Sequence, residues 1–344
     1  MRELLQRLID RQDLAEAEAG ALLGALTDPT TPPAVAGALV AALQAKGITA
    51  PELRGFALGM RARARRPLIS AGAPTVDIVG TGGDRSGSVN LSTGSGLLAA
   101  ACGLRVVKHG NRSVSSRTGS ADVLEALGLA LPLDERAAGA LLDACGFTYL
   151  FSPHYHPAMK AIAPVRTALG VRTVFNILGP LMNPAEPAYH LIGAYSPAVA
   201  QLLADALADM PIERAFVVHG AEGWDEPTPI GPFMLFDVRP GKVVSTRCDP
   251  AEAGLARCAA AALAGDDAAF NAAKIARTLR GEEQGAVRDA LALGTGLALE
   301  LMGKAPTLRD GIALAGAAID DGRAGRVLDV LAMARATAAA GVSP

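Results

Sequence analysis

The sequence predicts an α/β protein: a small all-helical N-terminal domain, then a larger α/β domain with a mostly parallel sheet and a C-terminal helical cluster. Three observations carry this. Residues 1–70 show helical periodicity only. From residue 75, short β-rich runs alternate with helical stretches, the pattern of a parallel sheet covered by helices on both faces. After Pro250 the pattern turns helical again. A length of 344 residues suits about two domains, placed at 1–70 and 71–344.

Leu4, Leu5, Leu8 and Ile9 repeat as one face of a first helix. Pro33 follows a breaker cluster and suits a helix start, and residues 34–45 and 51–66 read as two more helices. The basic run RARARR at 61–66 reads first as a solvated helix end and second as a ligand-facing basic edge. Strands are expected at 75–79, 104–108, 148–151, 189–195 and 214–219, with helices at 94–102, 120–127, 135–145 and 197–209. Residues 233–238 and 242–247, joined by Pro240 and Gly241, form a hairpin pattern. Helices follow at 251–264, 268–280, 286–301, 308–319 and 323–340. The acids Asp320 and Asp321 run into Gly322 and read as a helix end, not as a diphosphate motif on a strand.

Composition narrows the function. Lys+Arg 32 against Asp+Glu 34 gives a net charge of −2, which argues against a sequence-independent nucleic-acid binder. No apolar run reaches the ~18 residues of a membrane span. The charged, amphipathic N-terminus is unlike a signal peptide, and four widely spaced cysteines without CxxC read as reduced, so a cytoplasmic location is expected. The five histidines lack HxxxH spacing, which gives no zinc pattern, and no GxSxG nucleophile motif occurs.

Three turns carry chemistry. GTGGDRSGSVNLST at 80–93 lies between a strand and a helix. Its glycines let main-chain N–H groups face a ligand, and Ser88, Ser92 and Thr93 put hydroxyls near a helix start, where the dipole favours an anion. It is neither a Walker A loop nor GxGxxG. KHGNRSVSSRTGS at 108–120 follows another strand and offers Lys108, Arg112, Asn111 and several hydroxyls, though a solvated loop with a capping Ser120 is the plain alternative. GWDEPTPIGP at 223–232 holds adjacent acids Asp225 and Glu226, a pattern that is mere solvation when alone but suits Mg²⁺ opposite phosphate-cradling loops. Farther along, Pro157 suits a helix start, Pro164 a kink, and Arg166 either a structural salt bridge or a carboxylate fork.

GTGGD at 80–84, KHGNR at 108–112, GSADVLEALG at 119–128, HPAMK…PVR…LG.RT.FN.LGPL.NPA through Ala185, and DE at 225–226 closely resemble the anthranilate phosphoribosyltransferases. The resemblance covers most of the chain. It implies transfer of the phosphoribosyl group of 5-phosphoribosyl-1-diphosphate (PRPP) to the amine of anthranilate, in tryptophan biosynthesis. It implies a homodimer formed through the helical domain, which mid-chain helices roughly within 157–184 would join. Carried over by position, Gly80, Gly83, Asp84, Ser88, Asn90, Leu91, Ser92, Thr93, Lys108, His109, Gly110, Asn111, Arg112, Ser113, Val114, Ser115, Ser116 and Ser120 form the PRPP site. Ser92, Asp225 and Glu226 become Mg²⁺ ligands, with two ions per site. Gly80, Asn111 and Arg166 become anthranilate contacts, and Lys108, Asn111 and Arg166 the catalytic set. Trp224, Arg85 and Thr118 depart from common family residues and bear on rate and substrate positioning. A pyrimidine nucleoside phosphorylase of related fold and a nucleic-acid-binding paralogue are the competing readings; the first needs no acidic pair and the second would lose the 80–84 and 108–112 segments.

Overall fold

The computed structural model describes residues 1–112 and 117–339. Four helices open the chain: α1 (Arg2–Ile9), α2 (Glu16–Leu26), α3 (Pro33–Lys46) and α4 (Ala50–Arg61). Helix α3 starts on a proline whose fixed φ suits the first turn. Helix α4 begins with a reciprocal cap, in which Glu52 accepts from the Thr49 amide at 2.9 Å. The buried Glu52 also accepts from the Leu14 amide (2.9 Å) and pairs with Lys46 (3.0 Å), which ties α3 and α4 to the connection between α1 and α2.

The α/β part runs β1 (Thr75–Gly80), α5 (Leu91–Ala101), β2 (Arg105–Gly110), α6 (Ser120–Ala126), α7 (Glu135–Cys145), β3 (Phe147–Phe151), α8 (Ser152–Tyr155), α9 (Met159–Leu169), β4 (Tyr189–Gly193), α10 (Pro197–Ala208) and β5 (Arg214–His219). The hairpin strands β6 (Phe233–Arg239) and β7 (Lys242–Cys248) follow, then α11 (Ala268–Leu279), α12 (Ala286–Leu301), α13 (Leu308–Asp320) and α14 (Arg323–Ala339). One seven-stranded sheet has the order β3-β2-β1-β4-β5-β6-β7. Pairs among the first five strands are parallel, and the hairpin adds antiparallel strands at one edge.

The sheet separates two cores. Phe216 and Val218 of β5 enter one with α5, α7 and α12, while Ala215 and Val217 enter the other with α2–α4 and α10. That alternation is the two-residue period of a strand buried on both faces. Ile162 and Val165 of α9 join the second core, packing with the N-terminal helices. Fully burying one such aliphatic side chain contributes about 1.5–3 kcal/mol.

Three local expectations change. Residues 251–264 are not a helix; turns lead to a short 3₁₀ segment, Ala260–Leu263. Most of these alanines stay exposed, so helix propensity has no apolar face to bury. The helix expected at 51–66 ends at Arg61. That arginine is not solvated but 4% exposed, its Nε donating to the Leu181 carbonyl at 2.7 Å, and burial pushes its pKa down to about 10. Helix α9 starts at Met159, and Pro164 lies inside it. Asp321 does cap α13 ahead of Gly322, which has φ 78°.

Candidate active site

The carboxyl ends of β1, β2, β4 and β5 share one rim, because these strands are parallel neighbours. The loop after β1 turns through left-handed residues, among them Gly82 (φ 68°). A side chain at this φ costs roughly 1–2 kcal/mol, which glycine avoids. Arg85 sits at φ 61° with an exposed side chain, so this departure stands at a position that favours glycine.

The acidic loop after β5 crosses directly over β4. A Cβ at Gly193 would land on the Asp225 carbonyl, so only glycine lets the two backbones approach this closely. Asp225 then reaches the first loop: its Oδ2 accepts from the Gly82 amide at 2.5 Å, and its own amide donates to Asp84 Oδ2 at 3.2 Å. Glu226 Oε1 accepts from the Ser92 amide at 3.1 Å, in the first turn of α5. From β2, Lys108 Nζ donates to Ser92 Oγ (3.2 Å) and to the Ile78 carbonyl (2.6 Å). The three turns therefore meet at one place.

The charge there is crowded. Burial first, then the Asp84 and Glu226 charges, hold the Asp225 carboxyl well above its ordinary pKa. Burial likewise raises Glu226 to about 7, against the pull of Lys108. Lys108 itself is 2% exposed and its pKa is lowered by burial, offset in part by Asp77, Glu226 and Asp225. Buried like charges of this kind call for a cation. Among the described residues no three His, Cys, Asp or Glu side chains form a metal cage. Mg²⁺ does not need one, since it takes one or two carboxylates and completes its shell with waters and phosphate oxygens. The donor set fits such an ion.

The other expected residues divide. Gly80 ends β1 beside the Asp225 carboxylate, and Gly83 accepts from Arg172 at 2.7 Å. Ser88 Oγ lies 3.2 Å from Ser86 Oγ, and Asn90 is held by Asn271 (3.0 Å) and the Thr118 carbonyl (3.3 Å). Leu91 is core, and Thr93 is fully buried with an unpartnered hydroxyl. The His109 ring lies buried against His156, 5.0 Å between centroids, so only its main chain can serve the rim. Gly110 ends β2, and the Asn111 carbonyl accepts from Ser120 Oγ at 3.3 Å. Arg112, expected to supply open positive charge, pairs with Asp122 (3.0 Å) and Glu125. Ser113, Val114, Ser115 and Ser116 lie outside the described residues.

Arg166 has no carboxylate partner among the described residues; its guanidinium lies over the Phe175 ring, 5.3 Å from the centroid, and burial lowers its pKa. The structural salt bridge considered for it is therefore not formed. Trp224 is 5% exposed and belongs to the apolar core, so this departure is a packing choice. Thr118 Oγ1 donates to the Asp266 carbonyl at 2.8 Å. Sequence reasoning missed Arg172, which stacks on Tyr195 (4.4 Å to the ring centroid) and holds the Gly83 carbonyl. It also missed Asp77 and Asn183, both fully buried and hydrogen-bonded to each other at 2.8 Å. For Asp77 and Asn183 the signal was a polar residue inside an otherwise apolar or rigid stretch; Arg172 carries no such local signal.

Residues 2–64 match the helical bundle domain of the glycosyl transferase family, and residues 72–325 match its a/b domain. The anthranilate phosphoribosyltransferase of Desulforudis audaxviator is 44% identical over 329 residues, covering 94% of this chain and 93% of that protein. That of Chloroflexus aggregans is 42% identical over 325 residues, covering 94% and 95%. The crystal structure of anthranilate phosphoribosyltransferase from Thermus thermophilus superposes with a TM-score of 0.89 at 42% identity, covering 96% of this chain and 99% of that one. The Saccharomyces cerevisiae enzyme in complex with PRPP and Mg has the same fold, with a TM-score of 0.87 at 24% identity over 97% of both chains. With both domains matched and the similarity running end to end, the chain belongs to the anthranilate phosphoribosyltransferase branch of this two-domain glycosyl transferase family.

Proposed function

We infer that this protein transfers the 5-phosphoribosyl group of PRPP to the amine of anthranilate and releases diphosphate, a step of tryptophan biosynthesis. The observation that carries the site reading is the meeting of Gly82, Ser92 and Lys108 with Asp225 and Glu226 at one rim. The C1–O bond of PRPP breaks with its electron pair going to diphosphate. The anthranilate nitrogen bonds C1 and then gives up a proton. A neutral aromatic amine is nucleophilic enough that the protein's task is to position and to stabilise charge.

Main-chain amides of the 80–84 loop and the first turn of α5, with Ser88, Asn90 and Ser92, would bind PRPP oxygens. Lys108 would supply the fixed positive charge next to the diphosphate. Ser92, Asp225 and Glu226 would hold Mg²⁺, two ions per site, which when bound neutralises the leaving diphosphate. Arg166, with its guanidinium unpaired by any described carboxylate, would take the anthranilate carboxylate in a two-bond fork. Asn111 and Gly80 would line the ring. Lys108, Asn111 and Arg166 are the proposed catalytic set.

We further propose the division at 1–70 and 71–344, with α9 added to the helical domain, as supported by the packing of Ile162 and Val165 with α2–α4. A homodimer through that domain fits the exposed Ile9 on α1 and the exposed Met1 ahead of it, and light scattering would count its subunits. We propose a cytoplasmic location, as for a biosynthetic enzyme; among the described residues no helix is long and apolar enough to cross a membrane. The test is loss of anthranilate fluorescence on adding PRPP, with and without Mg²⁺. Consumption that needs both supports the reading; phosphorolysis of thymidine or uridine instead would overturn it.

A further inference from the structure

The pairing between β1 and β2 stops early. Its register joins Thr75 to Arg105 and Val76 to Val106 and goes no further. Strand β1 stays paired with β4 as far as Gly80 and Gly193, and β2 with β3 as far as Gly110 and Phe151. The two strands therefore part beneath the rim, from Asp77 and Val107 onward. Main-chain groups exposed by such a split must find other partners.

Three buried side chains supply them. Asp77 Oδ1 accepts from the His109 amide at 3.3 Å. Asn183 Nδ2 donates both to Asp77 Oδ2 and to the Val107 carbonyl, each at 2.8 Å. From β2, Lys108 Nζ spans the gap to the Ile78 carbonyl at 2.6 Å. The Asn183 amide has a fixed orientation, because its Oδ1 accepts from the Ala185 amide at 2.9 Å. Asp77 and Asn183 are 0% exposed and Lys108 2%. Asp77 forms no ion pair among the described residues. A fully buried carboxylate costs stability relative to an apolar filler, so its retention points to a task other than stability. Asp77 meets the His109 amide directly and the Val107 carbonyl only through Asn183, so the pair holds both residues that flank Lys108.

We propose that Asp77 and Asn183 are positioning residues for phosphoribosyl transfer: together they hold β1 and β2 apart at a set width, which stands Lys108 between Ile78 and Ser92 with its ammonium toward the diphosphate. This rests on the PRPP reading of the rim. Neither residue touches substrate; both act through the strand that carries Lys108.

Asp77→Asn tests it, because in either amide orientation the new NH2 sets donor against donor, at Asn183 or at the His109 amide. The KM for PRPP should rise about tenfold or more, while the KM for anthranilate stays within about twofold. The single tryptophan, Trp224, adjoins Asp225, so its emission titrated with Mg²⁺–PRPP reads binding apart from turnover and should weaken by the same factor. Val106→Ala, on the strand that carries Lys108 but outside the strut, is the comparator for equal loss of thermal stability. Unchanged PRPP binding in Asp77→Asn overturns the proposal. So does an equal rise in both KM values, or an equal PRPP defect in Val106→Ala. If Asp77→Asn does not fold, Asn183→Ala carries the same expectation. Wild-type protein that consumes no anthranilate would overturn the functional reading instead, and the Trp224 titration would still judge the strut.

Discussion

Replacing Gly193 by alanine isolates the contact that lets the acidic loop reach the rim. The added methyl would fall on the Asp225 carbonyl, well inside contact distance, and the obstacle is backbone that no rotamer change can clear. The acidic loop must therefore move outward by about an ångström or more, and overpacking of this kind costs about 1–3 kcal/mol. In a chain of 344 residues that lowers Tm by a few degrees at most, on the order of 1–2 °C per kcal/mol. The same shift draws Asp225 Oδ2 away from the Gly82 amide and Glu226 Oε1 away from the Ser92 amide. Misplacing catalytic or binding groups by about 1 Å costs about 10²-fold in rate, roughly 2.7 kcal/mol of transition-state stabilisation. The assay is anthranilate fluorescence decay at varied PRPP and fixed Mg²⁺, alongside thermal unfolding. The expected result is a fall of about 10²-fold in kcat/KM for PRPP, with the KM for anthranilate little changed. A folded Gly193→Ala protein with kcat/KM for PRPP within about threefold of wild type would refute the close-approach argument.

Arg166→Ala should raise the KM for anthranilate about 10–100-fold, the worth of a charged hydrogen-bonded pair, while thermal stability falls only slightly, since the contact over the Phe175 ring goes but no ion pair is lost. A defect confined to PRPP would assign Arg166 elsewhere. Glu226→Gln should abolish Mg²⁺-dependent use of PRPP yet stabilise the ligand-free protein near pH 7.5, since it removes a half-buried charge whose desolvation outweighs the pull of Lys108; a lower Tm would count against this. The pH dependence follows from opposed sets of groups. His156 and His190 are pushed down by burial to about 4 and about 3, so unfolding takes up protons below about pH 6.5 and stability falls with acidification, about 1.4 kcal/mol per pH unit for each. Glu226, raised to about 7, and Asp77, raised to about 6, work the other way: their contribution is full below their unfolded values and is lost as pH rises through the folded ones. Urea midpoints of wild type should thus vary little between pH 6.5 and 4.5, and Asp225→Asn/Glu226→Gln should show the steeper acid loss. Parallel curves for the two proteins would contradict that balance.

How far the site was legible depended on the kind of signal. Glycine clusters, hydroxyls ahead of a helix and adjacent acids in a proline-rich loop are local patterns, and each marked a turn that reaches the rim. Residues acting through distant partners left weaker traces. Arg172 is ordinary in sequence until it is seen holding the Gly83 carbonyl 89 positions away. Arg112 is equally misleading, because Asp122 and Glu125 on the next helix take up its charge. The alanine-rich stretch 251–264 shows the limit of propensity: it favours a helix, but its exposed residues have no core to pack against.

The sequence alone determined the fold class, the parallel strands and the identity of the three polar turns, because periodicity and turn chemistry act over a few residues. Tertiary structure decided what those turns share. Asp225 meets Gly82 across 143 positions, and Glu226 meets Ser92 across 134. It also decided that β1 and β2 part above Val76, leaving Asp77, Asn183 and Lys108 to bridge the gap. Strand order and the path of the chain over Gly193 set those distances, and neither is written in any local stretch of residues.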